Sequence, residues 1–537
     1  MNRNPIEIFD TTLRDGTQGE GVTLSVKDKV RIAIRLDEFG MDFIEGGWPG
    51  SNPKDESFFK EIRKEKLHHS RICAFGSTAR FPDKVLSDAN LNLMLAAETS
   101  VVSIFGKAWK LHSELGLELD SSENETLIYE SIQYLKSEGR HVIFDAEHFF
   151  DGYKDDPEFA LQMVKAAGKA EADTIVLCDT NGGSLPSEIS DIVHVVKKKI
   201  SAPLGVHAHN DSELAVSNTI AAVEAGVSHV QGTINGVGER CGNANLVSII
   251  PNMILKLGLK TVQKIDLTQL SSISHFVSEV MNFAPDQRAA YVGRSAFAHK
   301  GGIHVSAVLK NSSMYEHIEP EIVGAQRRVL VSDLSGQSNI RYKASELDVR
   351  LNGDKTLTKK VVNRIKALEH AGYQFDGAEA SFELILQEEL GAFQPFFDVL
   401  DSRINVNYGE DGHKHADAML KVIVDGEVEH TIADGVGPVN ALNLALKKAL
   451  VRFYPEIKDV KLVDYKVRVL EERAGTESKV RVLAESSDGK ESWSTVGVSE
   501  NIIEASWQAL RDSFNYRLYI KKKKNAHSRK VKGLAKP

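Results

Sequence analysis

The chain has 537 residues but only three cysteines, Cys73, Cys178 and Cys241, with no CxxC pair among them. That scarcity excludes a disulfide scaffold and a cysteine-built zinc site. Long apolar runs are missing too: none reaches the roughly 18 residues that a membrane helix needs. The first residues, Met-Asn-Arg-Asn-Pro, lead straight into a strand-like segment without an apolar signal region, so a cytoplasmic protein is expected. Positive charge is not in excess. Lys and Arg total 66 against 75 Asp and Glu, a net charge of −9, which leaves no bulk footprint for nucleic acid. At 42% hydrophobic and 26% charged residues, the composition is that of a multidomain globular protein.

What the first 260 or so residues do have is a repeated rhythm: a short apolar strand, turn residues, then a longer amphipathic stretch. Strands are expected at Ile6–Asp10, Asp42–Gly46, Ile72–Phe75, Val101–Phe105, Val142–Ala146, Thr174–Cys178, Gly205–Ala208 and Val230–Ile234. Helical patterns lie between them. In Ser25–Phe39, for example, Val26, Val30, Ile34 and Phe39 share one face and Ser25 can cap the start. Strands alternating with helices imply parallel pairing, and eight such units fit a (β/α)8 barrel over residues 1–265. The alternative is an open doubly wound sheet. The count of eight and the lack of a GxGxxG after the first strand argue against it.

Residues 266–395 read as a helical linker or small subdomains, with helices at Thr358–His370 and Glu379–Leu390. Residues 396–520 read as a duplicated α+β domain. Strands at Ala418–Asp425 and Val428–Ala433 precede a helix over Val439–Phe453. Strands at Val460–Leu470, Ser478–Ala484 and Ser492–Val498 precede another over Ile502–Phe514. The hairpin signals Asp425-Gly426 and Asp488-Gly489 repeat at the same place. No catalytic residue types cluster there, which favours binding, regulation or dimerisation. The basic tail, 521–537, is expected to be disordered.

In a (β/α)8 barrel the site lies at the C-terminal ends of the strands. Polar, titratable residues crowd that rim: Asp10–Gly16, Glu45–Pro49, Asp145–His148, Asp179–Gly182, His207–Asp211 and Asn235–Asn243. His207 and His209 stand two apart on a strand, so they share a face with Cα atoms roughly 6.5–7 Å apart. Two imidazoles so placed can converge on one metal ion. The plainer reading is a pair of polar rim histidines. Asp15 is the natural third ligand and Asp10 competes for that place. Such a set suits zinc, manganese or magnesium alike. Arg14 would stabilise an oxyanion near the ion, or brace the barrel as an ion pair. Glu147 would serve as general base, or as a rim salt bridge. Thr180 would offer a hydroxyl to a carboxylate. The glycines of Gly232–Gly242 would let backbone approach a ligand, or simply make a tight loop. Trp48 has the bulk to shorten a pocket, or is a structural rim aromatic.

Three motifs, DTTLRDGTQGEG (Asp10–Gly21), HAHND (His207–Asp211) and GTINGVGERCGNANL (Gly232–Leu246), resemble those of the DRE-TIM metallolyase superfamily. The resemblance is closest to its Claisen-condensing branch, the 2-isopropylmalate, homocitrate and citramalate synthases. EGGWPGSNPKD (Glu45–Asp55) and FDAEHFFDGYK (Phe144–Lys154) resemble the citramalate-forming members. Isopropylmalate synthases typically carry Phe-Pro where Trp48-Pro49 stands. Some citramalate synthases have Tyr where this chain has Asp145, so contacts made by that Tyr do not carry over.

The resemblance implies that Asp15, His207 and His209 bind a divalent ion, with Asn243 as a further ligand. It implies that Arg14, Glu147 and Thr180 meet the keto acid or assist the chemistry. Gly301–Pro320 resembles the subdomain that reaches over the active site, and its His304 and Tyr315 would complete that site from a partner chain in a homodimer. The implied reaction joins acetyl-CoA to pyruvate, with 2-ketoisovalerate as the alternative acceptor. The implied effector of the C-terminal domain is isoleucine, or leucine under the alternative. Two other readings compete: an aldolase or lyase of the HMG-CoA lyase type, and an amino-acid sensor on an inactive barrel. Lyases of that type lack the duplicated domain, and the intact Arg14, Asp15, His207 and His209 argue against a sensor.

Overall fold

The computed structural model describes residues 4–331, 335–347, 349, 355–408, 414–470 and 478–534. They form two compact units, Met1–Phe297 with Ile318–Gln326, and Ala298–His317 with Arg327–Pro537. The first unit is a closed barrel of eight parallel strands: β1 (Glu7–Asp10), β2 (Phe43–Gly47), β3 (Arg71–Ser77), β4 (Val101–Lys107), β5 (His141–Glu147), β6 (Thr174–Asp179), β7 (Leu204–Ala208) and β8 (His229–Gly232). β1 pairs with both β2 and β8, which closes the ring.

Helices α1 (Val26–Phe39), α2 (Pro53–Ile62) and α3 (Ala89–Ala96) follow β1, β2 and β3. Ser25 caps α1 in a reciprocal capping box with Asp28.

Side chains along a strand alternate between faces, so every second residue points into the barrel. The lower inward layer is apolar, with Phe9, Phe43, Val101, Ile143 and Val176 packed together. Two residues further along, the inward positions turn polar: Glu45, Ser103, Asp145, His207 and Gln231 are all buried. Polarity thus rises toward the C-terminal rim, where a site can form.

The second unit contains two small antiparallel sheets. The strands β9 (Ala298–His299) and β10 (Arg328–Val329) pair with each other. β11 (Asp398–Tyr408), β12 (Lys414–Val424) and β13 (Glu427–Gly435) form one three-stranded sheet. β14 (Lys461–Val469), β15 (Val480–Ser487) and β16 (Ser492–Ser499) form the other. On β12, Ala416, Ala418, Leu420, Val422 and Val424 alternate inward against Ala441, Leu442, Ala445 and Leu446 of the helix Pro438–Leu450. The duplication extends to detail. Register shifts fall at Val399/Asp401 and at Leu462/Asp464. Thr431 Oγ1 donates to the Ala445 carbonyl, and Thr495 Oγ1 to that of Ala509.

The linker or small subdomains expected over 266–395 divide between the two units. Leu267, Leu270, Ile273 and Val277 join the barrel core, whereas Ile340, Val361, Ile365, Phe382 and Leu386 pack with Val496 and Val498. The tail from Lys521 was expected to be disordered, yet the helix Ile502–Leu534 runs through it. Lys521, Lys523 and Lys524 there pair with Glu456, Glu383 and Glu491, so the positive run has carboxylate partners. The first strand of the duplicated domain, β11, was not anticipated. Its Asp398, Asp401, Ser402, Arg403, Asn405 and Asn407 mask the strand pattern. No helix among the described residues is long and apolar enough to cross a membrane.

Candidate active site at the barrel mouth

One cavity opens at the C-terminal ends of the barrel strands. Arg14, Asp15, Trp48, Phe75, Phe105, Asp145, Glu147, Thr180, His207, His209 and Glu239 line it. The loop after β1 is locked in place before it delivers Arg14 and Asp15. Asp10 accepts hydrogen bonds from the Thr12 amide and hydroxyl, both at 2.9 Å. The Thr12 hydroxyl oxygen in turn accepts from the Ile234 amide beyond β8. Asp10 is thereby a brace, with burial pushing its carboxyl up to about 7, and Asp15 is the carboxylate that meets the histidines.

His207 Nε2 and His209 Nε2 lie 3.2 Å apart, and Asp15 Oδ2 lies 3.4 Å from the first and 3.7 Å from the second. Among the described residues this is the one group of three such side chains close enough to share an ion. All three are buried. His207 Nδ1 faces Gln231 Oε1 at 2.9 Å, so Nδ1 carries a proton; burial would lower this imidazole, but the Asp15 carboxylate beside Nε2 outweighs it and pushes it up. Gln231 Nε2 donates to Asp145 Oδ1, and Asp145 Oδ2 accepts from Ser103. Burial, reinforced by neighbouring His207, pushes the His209 imidazole down to about 3 and keeps it neutral, as ligation requires. Burial would raise the Asp15 carboxyl, but Arg14 and His207 outweigh it and hold the group below the usual carboxylate range.

After β8 the chain turns back and pairs His209 with Asn243 in an antiparallel bridge. Asp15 Oδ1 and both polar side-chain atoms of Asn243 are buried without a protein hydrogen-bond partner. Buried polar atoms of this kind call for a ligand, and a carboxylate, two imidazoles and an amide oxygen make a donor set that fits a divalent ion, whose binding would displace the proton from His207. The glycines of this loop serve the fold instead: Gly242 has φ +91°, and a Cβ there would lie 2.0 Å from the Gly236 carbonyl oxygen.

Arg14 is held on two sides. Its Nε donates to Glu45 at 2.7 Å and its Nη1 to Asp15 at 3.2 Å, while the guanidinium lies 3.8 Å over the Phe75 ring. Its Nη2 makes no bond to another described residue. The bracing role and a substrate-facing role therefore coexist in one side chain. Thr180 Oγ1 accepts from the His148 amide at 2.9 Å, which leaves the hydroxyl proton to donate. Glu147 is paired with Lys107 at the rim. His304 and Tyr315 belong to the other unit, where their rings stack at 4.3 Å.

Glu45, Gln231 and Ser103 were not singled out by sequence reasoning. Stepping by two along the strands from Phe43 of β2, His229 of β8 and Val101 of β4 reaches each of them.

The fold defines a (β/α)8 enzyme of the HMGL-like class with a candidate metal site at its mouth, and the HMGL-like family matches residues 5–277. Residues 291–372 match a homocitrate synthase post-HMGL domain-like family, and residues 376–518 match the LeuA allosteric (dimerisation) domain. The (R)-citramalate synthase of Geobacter sulfurreducens is 53% identical over 518 residues, covering 96% of this chain and 98% of its own. That of Aquifex aeolicus is 51% identical over 515 residues, covering 96% and 98%. The 2-isopropylmalate synthase of Methanocaldococcus jannaschii is 33% identical over 513 residues, covering 95% and 94%. The chain belongs to the (R)-citramalate synthase family.

Proposed function

We propose that the chain is an acyltransferase that condenses acetyl-CoA with pyruvate and water, yielding (R)-citramalate and CoA in isoleucine biosynthesis. The observation that carries the reading is the convergence of Asp15, His207 and His209 beside Arg14 at the barrel mouth. Identity of 53% to a citramalate synthase, against 33% to an isopropylmalate synthase, supports pyruvate as the acceptor.

Asp15, His207 and His209 would hold a divalent ion, with Asn243 as a further ligand; manganese, zinc and magnesium all accept such a set. When bound, the ion supplies Lewis acidity toward the 2-oxo group and a template for the acceptor's oxygens. Arg14 offers Nη2 to the keto oxygen as it gathers charge. Thr180 donates its hydroxyl proton to the acceptor carboxylate. Glu147 and His304 are the residues with the chemistry to take a proton from the acetyl methyl group. The carbon so released bonds to the keto carbon, and the keto oxygen ends as a hydroxyl. Water then adds to the thioester carbon, the C–S bond breaks, and CoA leaves as the thiol. His304 and Tyr315 are assigned to the reaction on the resemblance of Gly301–Pro320 alone.

The C-terminal domain would bind isoleucine and join two chains into a homodimer. The activity would be cytoplasmic.

The test is CoA release with acetyl-CoA against pyruvate, 2-ketoisovalerate and 2-ketoglutarate. Pyruvate should give the highest kcat/KM. Preference for 2-ketoisovalerate would replace the reading with isopropylmalate synthesis, and CoA release with no acceptor would remove it.

A further inference from the structure

Trp48 sits in the loop after β2 and forms one wall of the cavity. Its indole meets Phe75 and Phe105 edge-on, at 5.7 Å from each and at interplanar angles of 85° and 81°. Phe75 and Phe105 stack on each other at 5.5 Å. The three rings close the side of the cavity next to Arg14, which lies over Phe75. A wall of this kind discriminates between acceptors only if the outermost ring, the one on a loop, cannot swing away.

Two anchors prevent that. At the backbone end, the Trp48 amide donates to Asp55 Oδ2 at 2.9 Å. Asp55 is held by buried Lys29 and by Asn52. Gly47, with φ +142°, lets the chain pass, because a Cβ there would lie 2.4 Å from the Asp55 carboxyl carbon. At the ring end, Trp48 Nε1 donates to Asn90 Oδ1 at 2.7 Å. Asn90 is in the first turn of α3, and its Nδ2 donates to the Ser77 carbonyl at the end of β3 at 2.8 Å. An indole has two side-chain torsions. Fixing the backbone at one end and the ring nitrogen at the other sets both.

We infer that Asn90 is a positioning residue for acceptor selectivity: it holds Trp48 as the wall that limits the 2-oxo acid to a methyl side chain. This rests on the proposed reaction with pyruvate. Asn90 is not among the residues lining the cavity, so its effect passes through Trp48. A hydrogen bond that merely satisfied a half-buried indole N–H would affect stability and leave selectivity alone.

The experiment compares kcat/KM for pyruvate and 2-oxobutanoate, which differ by one methylene, in wild type, Asn90→Leu, Trp48→Phe and the double variant. Trp48→Phe keeps a ring but removes the N–H, and it leaves Asn90 bound to Ser77, so it serves if Asn90→Leu folds poorly. One methylene in a fitted pocket is discriminated by about 10–200-fold. Each single variant should lower the pyruvate preference at least tenfold, mainly through a better KM for 2-oxobutanoate. The double variant should lose no more than the worse single one. A ratio within twofold of wild type in both single variants, or losses that multiply in the double, would overturn the assignment. If wild type itself does not prefer pyruvate, it is the proposed reaction that fails instead.

Discussion

Inside the barrel, Glu45, Asp145, His207 and Gln231 are buried, although each carries charge or strong polarity. In the C-terminal domain the misplacement runs the other way: Val428 and Ile432 of β13 stand exposed at 50% and 55%. The second copy of that domain shows what such a face is for. Thr431 and Thr495 make matching bonds to the two helices, so Ile432 corresponds to Val496, one residue beyond each threonine. Val496 is covered by Phe382 and Leu386 of this chain's own helices. Ile432 has no such cover among the described residues. Buried charge that converges on one point is a candidate for chemistry; an apolar sheet face left bare in one copy and covered in the other is where a partner chain would dock.

The comparison breaks first at the barrel. Arg14→Ala or His207→Ala should lower kcat/KM by about a thousandfold or more, since each removes charge stabilisation or a ligand. Circular dichroism should show the fold retained, and turnover near wild type in either would remove the site. Next in size is the contrast between the two sheets. Val496→Lys puts a charge into a closed core and should cost several kcal/mol of stability, on the order of that for an unpaired buried charge. Ile432→Lys should leave the melting temperature within a few degrees and weaken the dimer about tenfold or more, read by sedimentation. Equal effects of the two substitutions would mean that both faces are covered alike.

Smaller is the effect at Gln231. Gln231→Leu removes the acceptor that sets the His207 tautomer and should weaken ion affinity about 10–100-fold in a calorimetric titration. An unchanged affinity would show that His207 needs no such support.

The smallest concerns Asp512, whose carboxyl burial pushes up to about 6. Its folded value lies above its unfolded one, so ionisation is penalised as pH rises from about 4 to 6 and fully so above 6. Asp512→Asn should therefore gain stability relative to wild type across that window, by roughly 1–3 kcal/mol, and level off above it. A difference independent of pH would contradict the assignment. Asparagine can still accept from the Ser381 hydroxyl, which lies 3.1 Å away.

Much of this was legible in the sequence because it is local. The eight barrel strands announce themselves through short apolar runs at a steady spacing. The period of two places His207 beside His209 and puts Asp145 and Glu147 on one face of β5. What was not legible depends on which strands become neighbours. Gln231 reaches His207 only because β8 lies beside β7, and Glu45 reaches Arg14 only because β1 lies beside β2. Asp10 competed with Asp15 for the ligand position in sequence, and only the fold shows the Thr12 bonds that occupy Asp10. The polar β11 hides its periodicity. Lys521, Lys523 and Lys524 look solvated in sequence, and only the fold supplies Glu456, Glu383 and Glu491 as their partners.

The most direct measurement is of (R)-citramalate made from acetyl-CoA and pyruvate by protein stripped of divalent ions and then reloaded. No product should form before reloading, and it should return as about one ion per chain binds in wild type but not in His207→Ala. Full turnover by the stripped protein, or one-to-one ion binding that survives loss of His207, would contradict the account.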